Sequence, residues 1–255
     1  MPSASVAALE SLLSTRHFAH TLIRPWSVEA PARVLATGLA GLDAMLTGGW
    51  RQGEVSELIG PSSSGRTSVY AASLAAAASQ GGLVALVDVM DQLDPRRLVR
   101  AGCELERLLW VRGPSLTPAA TRVLLERALR QAIRAFDLIV RAGGFSLVVL
   151  DVADMPPQVL RALPATTWMR MARSNEGRAS VCLLVGSTPL GRSARGVTVH
   201  LSGSRCWSGT SLQSHRLMGI AAEVRAGASH AIFGTTRLEL GQLAPEGALD
   251  LLPRQ

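Results

Sequence analysis

The sequence predicts an α/β fold, with a mostly parallel central sheet flanked by helices and short antiparallel hairpins at its C-terminal end. Three observations carry this. The nearly unbroken apolar runs at 83–88, 145–151 and 180–185 read as strands buried on both faces. Helical stretches of roughly 10 to 25 residues separate them, the alternation that builds a parallel sheet. After Gly186 the pattern changes to short period-two segments at 197–201, 219–225, 230–233 and 237–240, which read as hairpin strands.

The chain of 255 residues is 47% hydrophobic, enough for one substantial core and one domain. No uninterrupted apolar run approaches the roughly 20 residues that span a bilayer. Residues 1–13 lack the basic start and long apolar centre of a secretory leader, so a cytoplasmic protein is expected. The three cysteines, Cys103, Cys182 and Cys206, are far apart and read as reduced thiols, Cys182 in a core strand. The five histidines show no metal spacing. All 26 basic residues are Arg, and the net charge is +7. A basic surplus favours nucleic acid or an acidic protein as partner. The Arg residues are nonetheless spread along the chain, as ordinary surface charge would be.

Taken in order, residues 1–33 carry Val6, Leu9, Leu12 and Leu13 at helical spacing, followed by a linker interrupted by Pro25 and Pro31. Residues 34–240 form the core, and 241–255 read as a tail. Within the core, a short helix at 39–46 ends at Gly48-Gly49, and 54–59 reads as a strand. An Ala-rich helix is expected from Ser68 to Ser79. Asp94 before Pro95 is an N-cap with proline at the first helical position. That helix ends at Gly102, and a strand follows at 108–111. Residues 117–142 place Val123, Leu124, Ala128, Ala132, Ile133, Phe136, Ile139 and Val140 on one apolar face of a long helix closed by Gly143-Gly144. Shorter helices follow, between Pro156-Pro157 and Pro164 and at 166–174.

The stretch Gly60-Pro61-Ser62-Ser63-Ser64-Gly65-Arg66-Thr67-Ser68 lies between a strand and a helix. It fits the phosphate-loop pattern G-x-x-x-x-G-K-[ST] except that Arg66 stands where lysine belongs. Such a loop cradles phosphates with backbone N–H groups, which Gly60, Gly65 and the serines permit. If a Mg-nucleotide binds, the Thr67 hydroxyl and the Asp151 carboxylate are placed to hold the metal. Arg66 keeps the charge, but a planar fork reaches differently from a lysine ammonium.

Residues 37–68 resemble the start of the RecA/RadA recombinase core. That family reads T-G-[I/L]-x-x-L-D-x-[ML]-L-x-G-G, then G-E, a strand, and G-P-x-x-S-G-K-T. The run from Asp88 to Pro95 and the segment Leu108-Leu109-Trp110-Val111-Arg112 resemble the family in register too. The resemblance implies ATP and Mg²⁺ as cofactors, and it marks departures. The family's catalytic glutamate falls on Met90, which cannot accept a proton. Its γ-phosphate-sensing glutamine falls nearest Ser187. The two DNA-binding loops would fall near 152–165 and between Ser187 and Gly196. The first is Pro-rich and weakly charged. The second is short and carries Arg192 and Arg195. Arg205, Trp207 and Arg216 are further candidates for single-stranded DNA or partner contact, since Arg and Trp together grip single strands by charge and stacking.

With degraded catalytic positions and shortened loops, residues 34–240 resemble the ImuA group, RecA-related accessory proteins of bacterial translesion synthesis. That resemblance implies a DNA-damage-induced (SOS) scaffold or regulator without an enzymatic role, contacting RecA or ImuB beside an error-prone polymerase. Residues 1–33 and 241–255 are the first candidates for those contacts. An active DNA-stimulated RadA- or KaiC-like ATPase and a simple single-stranded DNA-binding module are the alternatives.

Overall fold

The computed structural model describes residues 33–117, 119–191, 196–208, 216–228 and 231–240. All of them belong to one compact unit. A two-residue antiparallel pair, β1 (Val34–Leu35) and β2 (Trp50–Arg51), brackets α1 (Ala40–Met45). Asp43 folds this bracket onto itself: its carboxylate accepts a hydrogen bond from the Thr37 backbone N–H at 2.6 Å. The fully buried Trp50 donates its indole N–H to the Ser73 hydroxyl at 3.0 Å. That hydroxyl also meets the Thr37 carbonyl at 3.2 Å, tying the bracket to the helix after the phosphate loop.

The core alternates as the apolar runs predict. β3 (Val55–Ile59) leads into α2 (Arg66–Ser79), and β4 (Leu83–Asp88) into α3 (Pro95–Arg100). The Asp94 carboxylate caps α3 by accepting from the Arg96 N–H at 3.0 Å. β5 (Leu108–Arg112) precedes the long α4 (Arg122–Ala142) and β6 (Phe145–Asp151). Two short helices, α5 (Pro157–Arg161) and α6 (Ala165–Asn175), lead to β7 (Val181–Gly186). Three antiparallel-connected strands complete the fold: β8 (Thr198–Ser208), β9 (Arg216–Ala228) and β10 (Ala231–Leu240). The eight-stranded sheet has the order β10-β9-β8-β3-β7-β6-β4-β5. It is parallel from β8 to β5 and antiparallel in β8–β9–β10. The expected α/β class with a mostly parallel sheet is therefore the observed one.

One core packs α1, α2 and the bracket against one sheet face, around Leu42, Leu58, Leu74, Val149 and Leu183. The other packs α4, α5 and α6 against the opposite face, around Phe136, Leu129, Leu150 and Leu184. Cys103 and Cys182 are buried free thiols and Cys206 an exposed one.

Several expectations need adjustment. The long helix begins at Arg122 rather than 117, and its buried stripe is led by Leu125 and Leu129. Val123 and Leu124, read as core, are 72% and 46% exposed. They flank the stripe on the first turn. The segments read as separate strands at 230–233 and 237–240 are one strand, and the final strands run 11, 13 and 10 residues. A shift in register between Ile232 and Gly234 breaks the alternation there and made one strand look like two.

Candidate functional site

β3 sits between β7 and β8, so the loop at its carboxyl end opens among the ends of the parallel strands, where such sheets bind ligands. Two left-handed residues shape it, Ser63 at φ 63° and Gly65 at φ 97°. They turn the backbone so that the first N–H groups of α2, which have no intrahelical acceptor, face the loop's hollow. Helix α2 starts at Arg66, two residues earlier than the sequence suggested, so Arg66 and Thr67 occupy its first turn. The Gly60 N–H donates to the Gly186 carbonyl at 3.2 Å, fixing the loop to the end of β7.

The C-terminal ribbon braces the same loop. A Cβ at Gly60 would come within 2.6 Å of the Leu201 carbonyl oxygen. One at Gly203 would lie 2.9 Å from Ser64 Cα, and one at Gly65 would meet the Leu240 side chain. Glycine at 60 and 203 is what allows the β8 backbone this close, while Gly65 is required by its left-handed φ of 97°. The sequence signalled Gly60 and Gly65 through the motif, but nothing in it paired them with Gly203 and Leu240.

Arg66 is 8% exposed, and its Nη1 is buried with no hydrogen-bond partner. The Ser64 hydroxyl is likewise buried and unpartnered. A guanidinium N–H stripped of water without a replacement acceptor costs on the order of 1–3 kcal/mol or more. A phosphoryl oxygen is the kind of group that repays it, and Arg geometry suits phosphate. The loop therefore fits phosphate.

The metal-holding side is built differently. Asp88 and Asp151 are register partners on the adjacent strands β4 and β6. Asp88 is buried and committed: its two oxygens accept from the Gln92 and Leu93 N–H groups at 3.1 and 2.8 Å. Asp151 accepts from the Ala153 N–H at 3.0 Å. Burial, with added repulsion from Asp88 and Asp154, pushes the Asp151 carboxyl up to about 6, against the opposing pull of the Ala153 N–H and Arg66. The Tyr70 phenol is buried on the first turns of α2, within electrostatic reach of Asp151 and Asp88. Burial first, then the two carboxylates, raise its pKa far above the ordinary tyrosine value. Tyr70 was missed in the sequence. Its signal was there: the chain's single tyrosine, three residues after Thr67 and so on the same helix face.

Met90 and Asp91, at and beside the position expected to activate water, are both engaged elsewhere. Met90 is buried in the core beneath α4 and α5. Asp91, one residue on, has a positive φ of 56° and grips Arg112 in a two-pronged ion pair at 2.8 and 2.9 Å. The Arg112 guanidinium stacks on Trp110, 4.8 Å from its ring centroid. Asp91 is thus directed to the edge strand β5. Ser187 directly follows β7.

Of the contact candidates, Arg205 and Trp207 are exposed and lie on β8 rather than in a loop. Arg205 follows Leu201 and Gly203 on the strand face that meets the phosphate loop. Arg216 opens β9. Arg192, Arg195 and the segments 1–32 and 241–255 lie outside the described residues. Among the described residues no cluster of His, Cys, Asp and Glu could hold a metal ion by itself, and no helix is long and apolar enough to cross a membrane.

Residues 20–160, more than half of the chain, match the RecA N-terminal domain family. Protein RecA of Arthrobacter sp. (strain FB24) is 34% identical over 133 residues, 51% of this chain and 34% of the relative. Protein RecA of Clavibacter michiganensis subsp. michiganensis is 34% identical over 131 residues, 51% and 33% respectively. That of Mycobacteroides abscessus is 35% identical over 133 residues, 51% and 35%. The match spans about a third of the length of these relatives.

Proposed function

The chain belongs to the RecA N-terminal domain family, and from that premise we propose that it is a catalytically degraded RecA-like accessory protein of DNA-damage-induced translesion synthesis. It acts as a scaffold or regulator that contacts RecA or an ImuB-type partner, beside an error-prone polymerase, in the cytoplasm. The carrying observation is the fate of the segment after β4. Met90 is packed into the core, Asp91 is held by Arg112 and Asp94 caps α3, which supports a site with no carboxylate of that segment free to polarise a water at the loop. The RecA-like frame is kept while the chemistry is dismantled, as expected where the surface is the useful part.

The test is phosphate release from ATP by the full chain, with and without single-stranded DNA. The expected rate is background in both. DNA-stimulated turnover abolished by Thr67→Ala would overturn the reading in favour of an active ATPase. Partner contact is tested by pull-down with RecA and ImuB, using the full chain and chains lacking residues 1–33 or 241–255. Unchanged capture by both truncations removes those segments as the contact surfaces. Direct DNA binding through Arg205, Trp207, Arg192, Arg195 or Arg216 predicts affinity that falls steeply as salt rises.

A further inference from the structure

Helix α4 turns its main apolar stripe, led by Leu125, Leu129 and Phe136, to the sheet. Packing does not account for its other side. Val123 is 72% exposed and Leu138 is 68% exposed, the two most exposed large apolar side chains among the described residues. The third, Met169 at 59%, lies on α6. Apolar residues scattered singly over a surface need no reason, whereas their collection on one pair of helices does. The two helices are neighbours. The Ser174 hydroxyl of α6 donates to Asp137 of α4 at 3.3 Å, and the Arg178 guanidinium donates to the Arg141 carbonyl at 3.3 Å.

This layer is also strongly basic. Helix α4 carries five Arg and two carboxylates, and α6 carries two Arg and no carboxylate. Both carboxylates are engaged. Glu126 pairs with Arg122 at 2.7 Å and Arg130 at 3.6 Å, and Asp137 pairs with Arg141 at 3.0 Å. Arg127 and Arg134 are exposed, and among the described residues no carboxylate is paired with either. Positions 123, 127, 130, 134, 138 and 141 follow one another at steps of three or four, so they form one line along the outer face. Val123 and Leu138 are about 22 Å apart on that line, at 1.5 Å per residue. Arg127, Arg130 and Arg134 stand between them.

Such a line has a complement: a helix of about four turns with an apolar anchor near each end and carboxylates between. A nucleic-acid backbone would give the Arg residues partners but would leave Val123, Leu138 and Met169 in water. A second copy pairing through the same face would set Arg against Arg. We infer that the outer face of α4, extended by α6, docks an acidic amphipathic helix of a partner protein. Val123 and Leu138 are its apolar seats, and Arg127 and Arg134 select the carboxylates. This surface lies within the described core, apart from the terminal segments 1–33 and 241–255. It rests on the scaffold reading above only for the existence of a protein partner. Phosphate release and helix docking are measured separately, so either can fail without the other.

The experiment titrates the full chain against a fluorescein-labelled, Ala-based helical peptide of about 22 residues, read by anisotropy. The peptide carries Leu near each end and Glu between them on the same face. A second peptide has Gln in place of every Glu. The Glu peptide is expected to bind below millimolar concentration, and the Gln peptide at least tenfold more weakly. No binding of the Glu peptide at millimolar concentration, or equal binding of the two, would overturn the inference.

Variants separate this face from overall charge. Arg127→Glu with Arg134→Glu is expected to weaken the Glu peptide at least tenfold and to favour a peptide with Lys in place of Glu. Arg96→Glu with Arg100→Glu, on exposed positions of α3, changes the net charge equally and is expected to alter affinity less than threefold. Equal losses in the two variants would reduce the binding to net charge and overturn the inference. Val123→Ser with Leu138→Ser is expected to weaken the Glu peptide at least fivefold, and unaltered affinity would remove the apolar seats. A labelled single-stranded oligonucleotide is expected to bind the Arg127→Glu, Arg134→Glu variant and the unaltered chain within threefold of each other. Selective loss in the variant would assign the face to nucleic acid instead. A dimer in sedimentation that this variant abolishes would assign it to a second copy, and either result would overturn the inference.

Discussion

Asp151→Asn is expected to stabilise the protein, with a sign that depends on pH. The carboxyl is pushed from 3.8 to about 6, chiefly by burial and then by the charges of Asp88 and Asp154, against the opposing pull of the Ala153 N–H and Arg66. A folded-state value above the unfolded one means that the native protein accommodates the protonated acid better than the anion. The carboxylate therefore costs nothing below about pH 4, and its cost grows as pH rises through about 6. A shift of about two pH units corresponds to about 3 kcal/mol. Asp151 is only partly buried, so solvent screening reduces this to about 1–3 kcal/mol. Asparagine is nearly isosteric, and its carbonyl can still accept from the Ala153 N–H. Urea unfolding of the two proteins should coincide near pH 4 and diverge in favour of the variant by pH 7.5. A variant equally or less stable at pH 7.5, or a difference independent of pH, would refute the account of Asp151 as a carboxylate made costly chiefly by burial.

The remaining predictions concern packing around the loop. Ser73→Ala strands the Trp50 indole N–H and should lower unfolding stability by about 1–3 kcal/mol in urea titrations. Glu57, buried on β3, accepts from the Leu190 and Gly191 N–H groups at 2.9 and 2.7 Å and from the Thr198 hydroxyl at 3.1 Å. Glu57→Ala should therefore cost about 2–4 kcal/mol, measured the same way, with Glu57→Gln recovering much of it. Leu240→Ala opens space beside Gly65. It should lower stability by about 2–4 kcal/mol and speed amide exchange at residues 64–67, relative to the rest of α2.

Most of the frame was legible because its signals are local. The β3–loop–α2 unit shows as an apolar run, a glycine pattern and an Ala-rich helix, each readable within a few residues. The cap at Asp94-Pro95 is read the same way. The missing parts depend on distance in sequence. Gly203 matters because it touches Ser64, about 140 residues earlier, and no spacing rule links them. Tyr70 lies inside the Ala-rich helix, and no local pattern links it to Asp151, about 80 residues further on. The exposure of Val123 and Leu124 follows from where α4 meets the sheet, which periodicity alone does not fix. Arg66 and Met90 could be named from the motif, but the buried, unpaired guanidinium and the redirected Asp91 required the fold.

The bracing of the phosphate loop by β8 and β10 has a consequence for signalling. A cradle held in shape by its own chain has already met the entropic cost of being ordered, so a ligand need not rearrange it. An occupant that finds the same backbone before and after arrival has no differential affinity to spend on a conformational change. Binding there would act as a staple. Saturation at a hundred times the dissociation constant adds about 2.7 kcal/mol to the folded state while transmitting little to distant surfaces. In such a protein nucleotide concentration would govern how long the scaffold persists more than what it does.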